Sequence, residues 1–167
     1  MLLLSQIEAR KIKPRSAPIN LCTVLRSVQQ EFAEVSDIKK IQCDVRCSEN
    51  LALQSDEHLL SALLSILIEN AIAYTPNGGS ITLAAEALNG HVRCTVEDTG
   101  IGIPKADRAN VFTKFYRASN ALRVRSTGTG LGLYLATKIT SLLHGSLTFV
   151  SKENKGTTFS VTFPRHP

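Results

Sequence analysis

The sequence predicts a mixed α/β (α+β) fold built on antiparallel hairpins rather than strict βαβ alternation. Three observations carry that expectation. Two runs of alternating apolar residues flank Asn89-Gly90, a strong hairpin turn. Apolar residues recur at helical spacing from Leu59 to Ala71 and again from Leu131 to Leu143. The 167 residues, 43% hydrophobic and 20% charged, suit one domain with a real core and exclude a disordered or fibrous chain.

In chain order, residues 1 to 12 can form a helix with Leu3, Leu4 and Ile7 on one side. Pro14 and Pro18 interrupt it, so 13 to 18 reads as a linker or hinge. Asn20 is placed to cap a second helix, with Leu21, Leu25, Val28 and Phe32 at helical spacing. Ile41 to Cys47 alternates as a strand, with Gln42, Asp44 and Arg46 on the other face, and Leu51 and Leu53 suggest a short second one. Ser55 or Asp56 caps the next helix, whose Leu60, Leu63, Leu64, Leu67 and Ala71 form a broad apolar face. Pro76-Asn77-Gly78-Gly79 ends it.

Ile81, Leu83 and Ala85 alternate outward to the hairpin turn, and Val92, Cys94 and Val96 alternate back. Residues 99 to 130 read mostly as loop, with one short helix near Asp107 to Phe112. Leu131 to Leu143 is amphipathic, and Ser146 to Ser151 with Thr157 to Phe163 form a last hairpin through Lys155-Gly156.

Several function classes fall away on composition. A net charge of +5 suits anionic partners, but the basic residues are scattered apart from Arg117, Arg123 and Arg125, and six Phe and three Tyr leave few rings to stack bases. No nucleic-acid partner is expected. The longest apolar stretch, Leu59 to Ile68, is broken by Ser61 and Ser65 and falls short of the ~20 residues a membrane helix needs. No membrane contact by these residues is expected either. Met1 to Leu4 runs straight into Ser5, Gln6 and Glu8, which is no signal peptide. The four cysteines, Cys22, Cys43, Cys47 and Cys94, could be bridges or metal ligands. Cys43 and Cys47 alternate with Ile41 and Val45, so buried thiols in a reducing, cytoplasmic compartment are the preferred reading.

Chemistry concentrates in the glycines. Five of the ten lie between 100 and 132. Gly100 and Gly102 follow the strand ending in Glu97-Asp98, while Gly128, Gly130 and Gly132 open a helix. A glycine-rich turn lets backbone approach a ligand, and helix N-termini offer N–H groups to phosphate; an ordinary loop is the alternative. A Walker loop is excluded because no Gly-Lys pair occurs. The dinucleotide fingerprint fails because its third glycine would fall on Lys105 or Leu133. Asp98 is placed to accept from an exocyclic amine such as adenine's, or is simply a turn residue. Asn70, late on its helix, offers a hard amide oxygen suited to Mg²⁺, or is a surface amide.

Four segments occur in order: Asn70 with Tyr74-Thr75-Pro76, Asp98 to Pro104, Val111 to Arg117, and Gly128 to Leu133. Together they resemble the N, G1, F and G2 boxes of sensor histidine kinases, and Lys155-Gly156-Thr157-Thr158-Phe159 is similar to that family's closing Gly-Thr-x-Phe element. The wider superfamily of gyrase-type topoisomerases, ninety-kilodalton heat-shock chaperones and mismatch-repair MutL proteins shares the N and glycine boxes. The Phe-x-x-Phe-Tyr-Arg element and Gly-Ile-Pro favour the kinases.

The resemblance implies the Bergerat ATP-binding fold, a two-layer sandwich with a mixed sheet backed on one face by helices. It implies ATP and Mg²⁺ as ligands. By position, Asp98 would bind the adenine amine and Asn70 would hold Mg²⁺. Tyr74, Gly100, Gly102 and Ile103 would surround the base. Residues 103 to 128 would form a mobile lid anchored by Phe112 and Phe115. Arg117 would reach the γ-phosphate, with Gly128, Thr129, Gly130, Leu131 and Gly132 along the phosphate chain and Thr158 completing the site. Asn70 and Arg117 would be the catalytic pair.

Two positions depart from the family, which usually has Asn at the place of Ile66 and often Lys at that of Ala73. A hydrogen bond to a charged group contributes roughly 1.5–3 kcal/mol, so weaker ATP binding or slower transfer is expected. Arg117 and Lys114 are the cations that could compensate. None of the four histidines, His58, His91, His144 and His166, lies in a phospho-acceptor motif.

The expected organisation is therefore 1–12 as the end of a dimerisation helix, 13–18 linker, 19–164 catalytic ATP-binding domain and 165–167 tail. The partners implied are the parent's dimerisation and histidine-phosphotransfer domain, a second parent copy in a homodimer, and a response regulator. The place implied is the cytoplasm, with a parent that can be membrane-anchored. Two readings compete with the kinase: a degenerate nucleotide-binding module without phosphotransfer, and another ATPase of the superfamily.

Overall fold

The computed structural model describes residues 2–48 and 50–165, so the readings that involve Met1 and His166 lie outside the described residues. The elements run α1 (Leu2–Glu8), β1 (Ala17–Asn20), α2 (Leu21–Glu31), α3 (Ala33–Ile38), β2 (Gln42–Cys47), β3 (Ala52–Ser55) and α4 (Glu57–Tyr74). They continue β4 (Ser80–Leu88), β5 (His91–Asp98), a single 3₁₀ turn (Arg108–Asn110), α5 (Ser119–Val124), α6 (Gly132–Leu142), β6 (Ser146–Lys152) and β7 (Gly156–Pro164).

Five strands form one mixed sheet in the order β2-β4-β5-β7-β6, with β2 parallel to β4 and the other pairs antiparallel. Register explains the core. Leu83, Val96 and Phe159 lie side by side, as do Ala85, Cys94 and Val161, and then Ala87, Val92 and Phe163. In strands, alternate side chains share a face, so these rows present one apolar surface. Helices α2, α4 and α6 pack on it and on one another. Leu60, Leu63, Leu64, Leu67 and Ile68 of α4 are all but inaccessible to solvent. Burying side chains of this size stabilises by about 1.5–3 kcal/mol each.

The helix ends follow local chemistry. Asn20 accepts from the Thr23 amide to cap α2. Asp56 caps α4 by accepting from Leu59 N at 3.1 Å, and also receives the Arg15 amide at 2.7 Å. At the far end, Lys39 donates to the carbonyls of Ile72 (2.5 Å) and Thr75 (2.8 Å), which α4 leaves without helical partners. Of the histidines, His58 and His91 are exposed on helix and strand, and His144 follows α6 at φ 58°.

Four expectations are corrected. The segment 13–18 is not all linker: Ala17 and Pro18 start β1, which pairs antiparallel with β3 in a separate two-stranded ribbon, where a proline is tolerated at an edge. The helices α3 and α5, six residues each, had no periodic signal long enough to read. Phe112 packs edge-on against Phe149, with centroids 5.5 Å apart, but Phe115 is 63% exposed at φ 66° and its ring lies outside the core. Lastly, Cys22 and Cys47 are joined in a disulfide across a Cα distance of 5.8 Å, leaving only Cys43 and Cys94 as thiols. Burial pushes the Cys94 thiol up to about 12. The compartment argument from four free thiols therefore no longer holds.

Candidate functional site

Ile66, Asn70 and Tyr74 stand four residues apart on α4, so they line up along one stripe beside the buried face. Two adjoining clefts open onto that stripe and share Asn70, Tyr74 and Leu133 in their walls. The smaller, about 70 Å³, is bounded by Asp98, Gly102, Ile103 and Val111, and by Asn120 and Ala121 of α5. The larger, about 330 Å³, is bounded by Arg117, Arg125 and the run Thr127 to Gly130 with Gly132.

Asp98 is the last residue of β5 and lies in register with Ile81 and Thr157. It therefore points to the same face as Val92, Cys94 and Val96, where the apolar rows give way to a polar one. Its Oδ1 accepts from Gly100 N (2.8 Å) and Thr157 N (3.2 Å). Its Oδ2 has no partner among the described residues. Burial pushes this carboxyl up to about 6, against the two backbone N–H groups that favour its ionised form, with Glu97 adding to the rise. Gly100 is required by space: a Cβ there would lie 2.6 Å from Tyr74 O and 2.7 Å from Asp98 Oδ1. The Ile101 amide donates to the same Tyr74 carbonyl at 3.1 Å, tying the end of α4 to this turn.

The segment from 103 to 128 is held by Asp107, whose Oδ1 accepts from Tyr116 OH (2.5 Å) and whose Oδ2 accepts from Ser119 N (3.0 Å) and Ser119 Oγ (2.7 Å). Those bonds hold the Asp107 carboxyl below the usual range. Gly130, at φ 68°, brings its carbonyl to Phe115 N at 3.0 Å, and a Cβ would strike the Phe115 and Tyr116 backbone. Sequence reading missed Asp107 and Asn120, since their bonds span 9 to 18 residues inside an apparent loop.

The residues singled out in the sequence come together with exceptions. Asn70, Tyr74, Asp98, Gly102, Ile103, Arg117, Gly128, Thr129, Gly130 and Gly132 all line one cleft or both. Gly100 acts from behind through Asp98. Leu131 is buried, and its amide is taken by Thr129 Oγ1 at 3.3 Å. Thr158 is corrected to Thr157. Thr158 sits in register with Glu97 and with the exposed Val150, on the outer face, whereas Thr157 lines the Asp98 cleft.

Arg117 donates to the Ser126 carbonyl at 3.0 Å and to the Arg125 carbonyl, which fixes the turn before Gly128. Lys114 does not face the cleft; it pairs with Glu8 of α1 at 3.1 Å. The cations beside the larger cleft are thus Arg117 and Arg125, both from the 103–128 segment, with Glu69 opposite. Ile66 approaches Gly132, its Cγ2 3.5 Å from where a Cβ would sit, so an apolar contact takes the place of the family's amide. Among the described residues no group of three His, Cys, Asp or Glu is placed to hold a metal. The donor chemistry fits a hard cation held by the Asn70 amide oxygen together with ligand oxygens and water, as Mg²⁺ prefers.

Residues 55–167 match the family described as histidine kinase-, DNA gyrase B-, and HSP90-like ATPases. The chain belongs to that family. This ATPase-family domain is 28% identical over 164 residues to the sensor-like histidine kinase SenX3 of Mycolicibacterium smegmatis, covering 98% of the chain and 43% of SenX3. Among solved structures it is similar to full-length ShkA in complex with AMPPNP, with TM-score 0.85, 27% identity, and coverage of 98% of this chain and 34% of that one. It is likewise similar to the nucleotide-free catalytic domain of the histidine kinase ThkA, with TM-score 0.80, 27% identity, and coverage of 92% and 97%. The mixed five-stranded sheet under helices is the architecture of those histidine kinase catalytic domains. The chain spans less than half the length of SenX3 and of ShkA.

Proposed function

We propose that this domain binds ATP and presents its γ-phosphate to a histidine on a separate dimerisation domain, as the catalytic part of a two-component sensor histidine kinase. The observation that carries this reading is Asp98, a buried carboxylate with one oxygen committed to backbone and the other without a partner among the described residues, in the wall of the smaller cleft. Such an oxygen accepts from an exocyclic amine, and Ile103, Val111 and Leu133 give the ring apolar walls.

The larger cleft then takes the phosphates. Backbone N–H groups where α6 begins favour negative charge, and Arg117 and Arg125 add two cations. When bound, Mg²⁺ held by Asn70 would neutralise phosphate charge. The incoming imidazole nitrogen forms the N–P bond as the bond to the ADP oxygen breaks, and the ring proton leaves to solvent. The domain's own contribution is positioning and charge, which dominate phosphoryl transfer. No described residue of this domain reads as a general base: Glu69 is exposed at the rim of the cleft.

The organisation proposed with this function keeps 19–164 as the catalytic domain and 13–18 as the connection. Residues 1–12 would be the end of a dimerisation helix, here with Leu4 buried and α1 packed on α6. The partners are a second parent copy and a response regulator, and the domain would work in the cytoplasm. No helix among the described residues is long and apolar enough to cross a membrane.

The second reading is a module that binds nucleotide without transfer, favoured by Ile66 and Ala73 in the phosphate cleft. Incubating the chain with γ-labelled ATP, Mg²⁺ and the parent's dimerisation domain separates the two. Label on histidine is the expected result; tight ATP binding with no transfer would establish the module.

A further inference from the structure

Asn120, on α5, donates from Nδ2 to the Gly102 carbonyl at 2.8 Å. A carbonyl can only accept, so this bond decides which end of the amide is nitrogen. Oδ1 is then the other end, and it is completely buried without a partner among the described residues. Asn120 lines the same small cleft as Asp98. A buried acceptor without a donor is unfavourable, so a ligand that brings an N–H to it gains an interaction the empty domain lacks.

The ligand chemistry follows from the two acceptors. Asp98 and Asn120 line one narrow cleft, whose walls also include Ile103, Val111 and Leu133. A primary amine on a flat ring carries two N–H groups and can serve both. A 6-oxo purine presents a carbonyl at the same place and would oppose both oxygens. Oδ1 is closed to solvent in the empty domain, so contact between it and a bound ring would need a small shift of α5.

We propose that Asn120 is a specificity residue of the nucleotide site, accepting the second N–H of the purine's exocyclic amine while Asp98 accepts the first. This rests on the ATP reading above. The amide also ties α5 to the Gly102 turn, so base recognition and the seating of the 103–128 segment meet in one side chain.

The test compares binding of ATP and inosine triphosphate by the full chain, by Asn120→Ala and by Asn120→Asp. Removing one amine contact is expected to weaken ATP binding about tenfold. Inosine triphosphate loses one opposing oxygen and should bind at least as well as before, so the preference for ATP falls by at least the same factor. Asn120→Asp keeps an acceptor and loses the donor to Gly102, and is expected to retain the preference even where overall affinity drops. Equal losses for both nucleotides in Asn120→Ala would mean a structural tie alone and would overturn the proposal. Absence of ATP binding by the unaltered chain would instead overturn the ATP reading.

Discussion

Substituting Asp98 by Asn should stabilise the empty domain while destroying the nucleotide site. In the fold this carboxyl titrates at about 6 against an ordinary value of 3.8, because burial outweighs its two backbone hydrogen bonds. The folded state therefore holds the proton more tightly than the unfolded chain. Stability of the unaltered domain is greatest, as far as this group is concerned, below pH 3.8. It falls as pH rises through the window from 3.8 to about 6, and is flat above. The shift of roughly two units corresponds to about 3 kcal/mol of stability withheld at pH 7.5.

An amide at position 98 can still accept from Gly100 and Thr157 through Oδ1, and carries no charge to desolvate. Asp98→Asn should then gain up to about 3 kcal/mol at pH 7.5, with the gain vanishing near pH 4. Urea unfolding of both proteins at pH 7.5, 6, 5 and 4 measures it directly. A variant less stable at pH 7.5, or one whose difference from the unaltered chain is the same at every pH, would refute the argument. The same substitution turns a donor toward the adenine amine, so ATP binding should be lost as stability rises.

Other perturbations test separate parts of the account. Ala73→Lys places a cation beside the larger cleft and should tighten ATP binding about tenfold by calorimetry, the gain of one charge-assisted contact; no gain would show that Arg117 and Arg125 already suffice. Breaking the Cys22–Cys47 bridge, which spans a sequence separation of 25, by Cys22→Ser should lower the unfolding free energy. Loop-closure entropy puts that loss at about 3.5 kcal/mol, and an unchanged urea midpoint would argue against a bridge in solution. Asp107→Ala removes the acceptor of Tyr116 and Ser119, so amide hydrogens from 103 to 128 should exchange faster while strand amides keep their protection. Unaltered exchange in that segment would discount the hub.

What the sequence makes legible is what local periodicity encodes. Ile81, Leu83 and Ala85 alternating into Asn89-Gly90 announce β4 and β5, and the leucines of α4 announce the helix that carries Asn70. The boxes then mark both clefts, since their order along the chain is the order in which their elements reach the site. Features that depend on partners distant in sequence stay hidden. β1 has four residues and a proline, and exists because β3 pairs with it. The Cys22–Cys47 bridge depends on how α2 meets the end of β2. Thr157 and Thr158 differ only in strand parity, which becomes known once the register with Asp98 is known. Asn120 reaches Gly102 across 18 residues of a segment that reads as loop.

The central claim is that this domain holds ATP by its adenine on Asp98. Calorimetric titration of ATP with Mg²⁺ at pH 7.5 into the unaltered chain and into Asp98→Asn tests it most directly. The account predicts saturable one-to-one binding to the first and none to the second. Equal binding to both, or no binding to either, would contradict it.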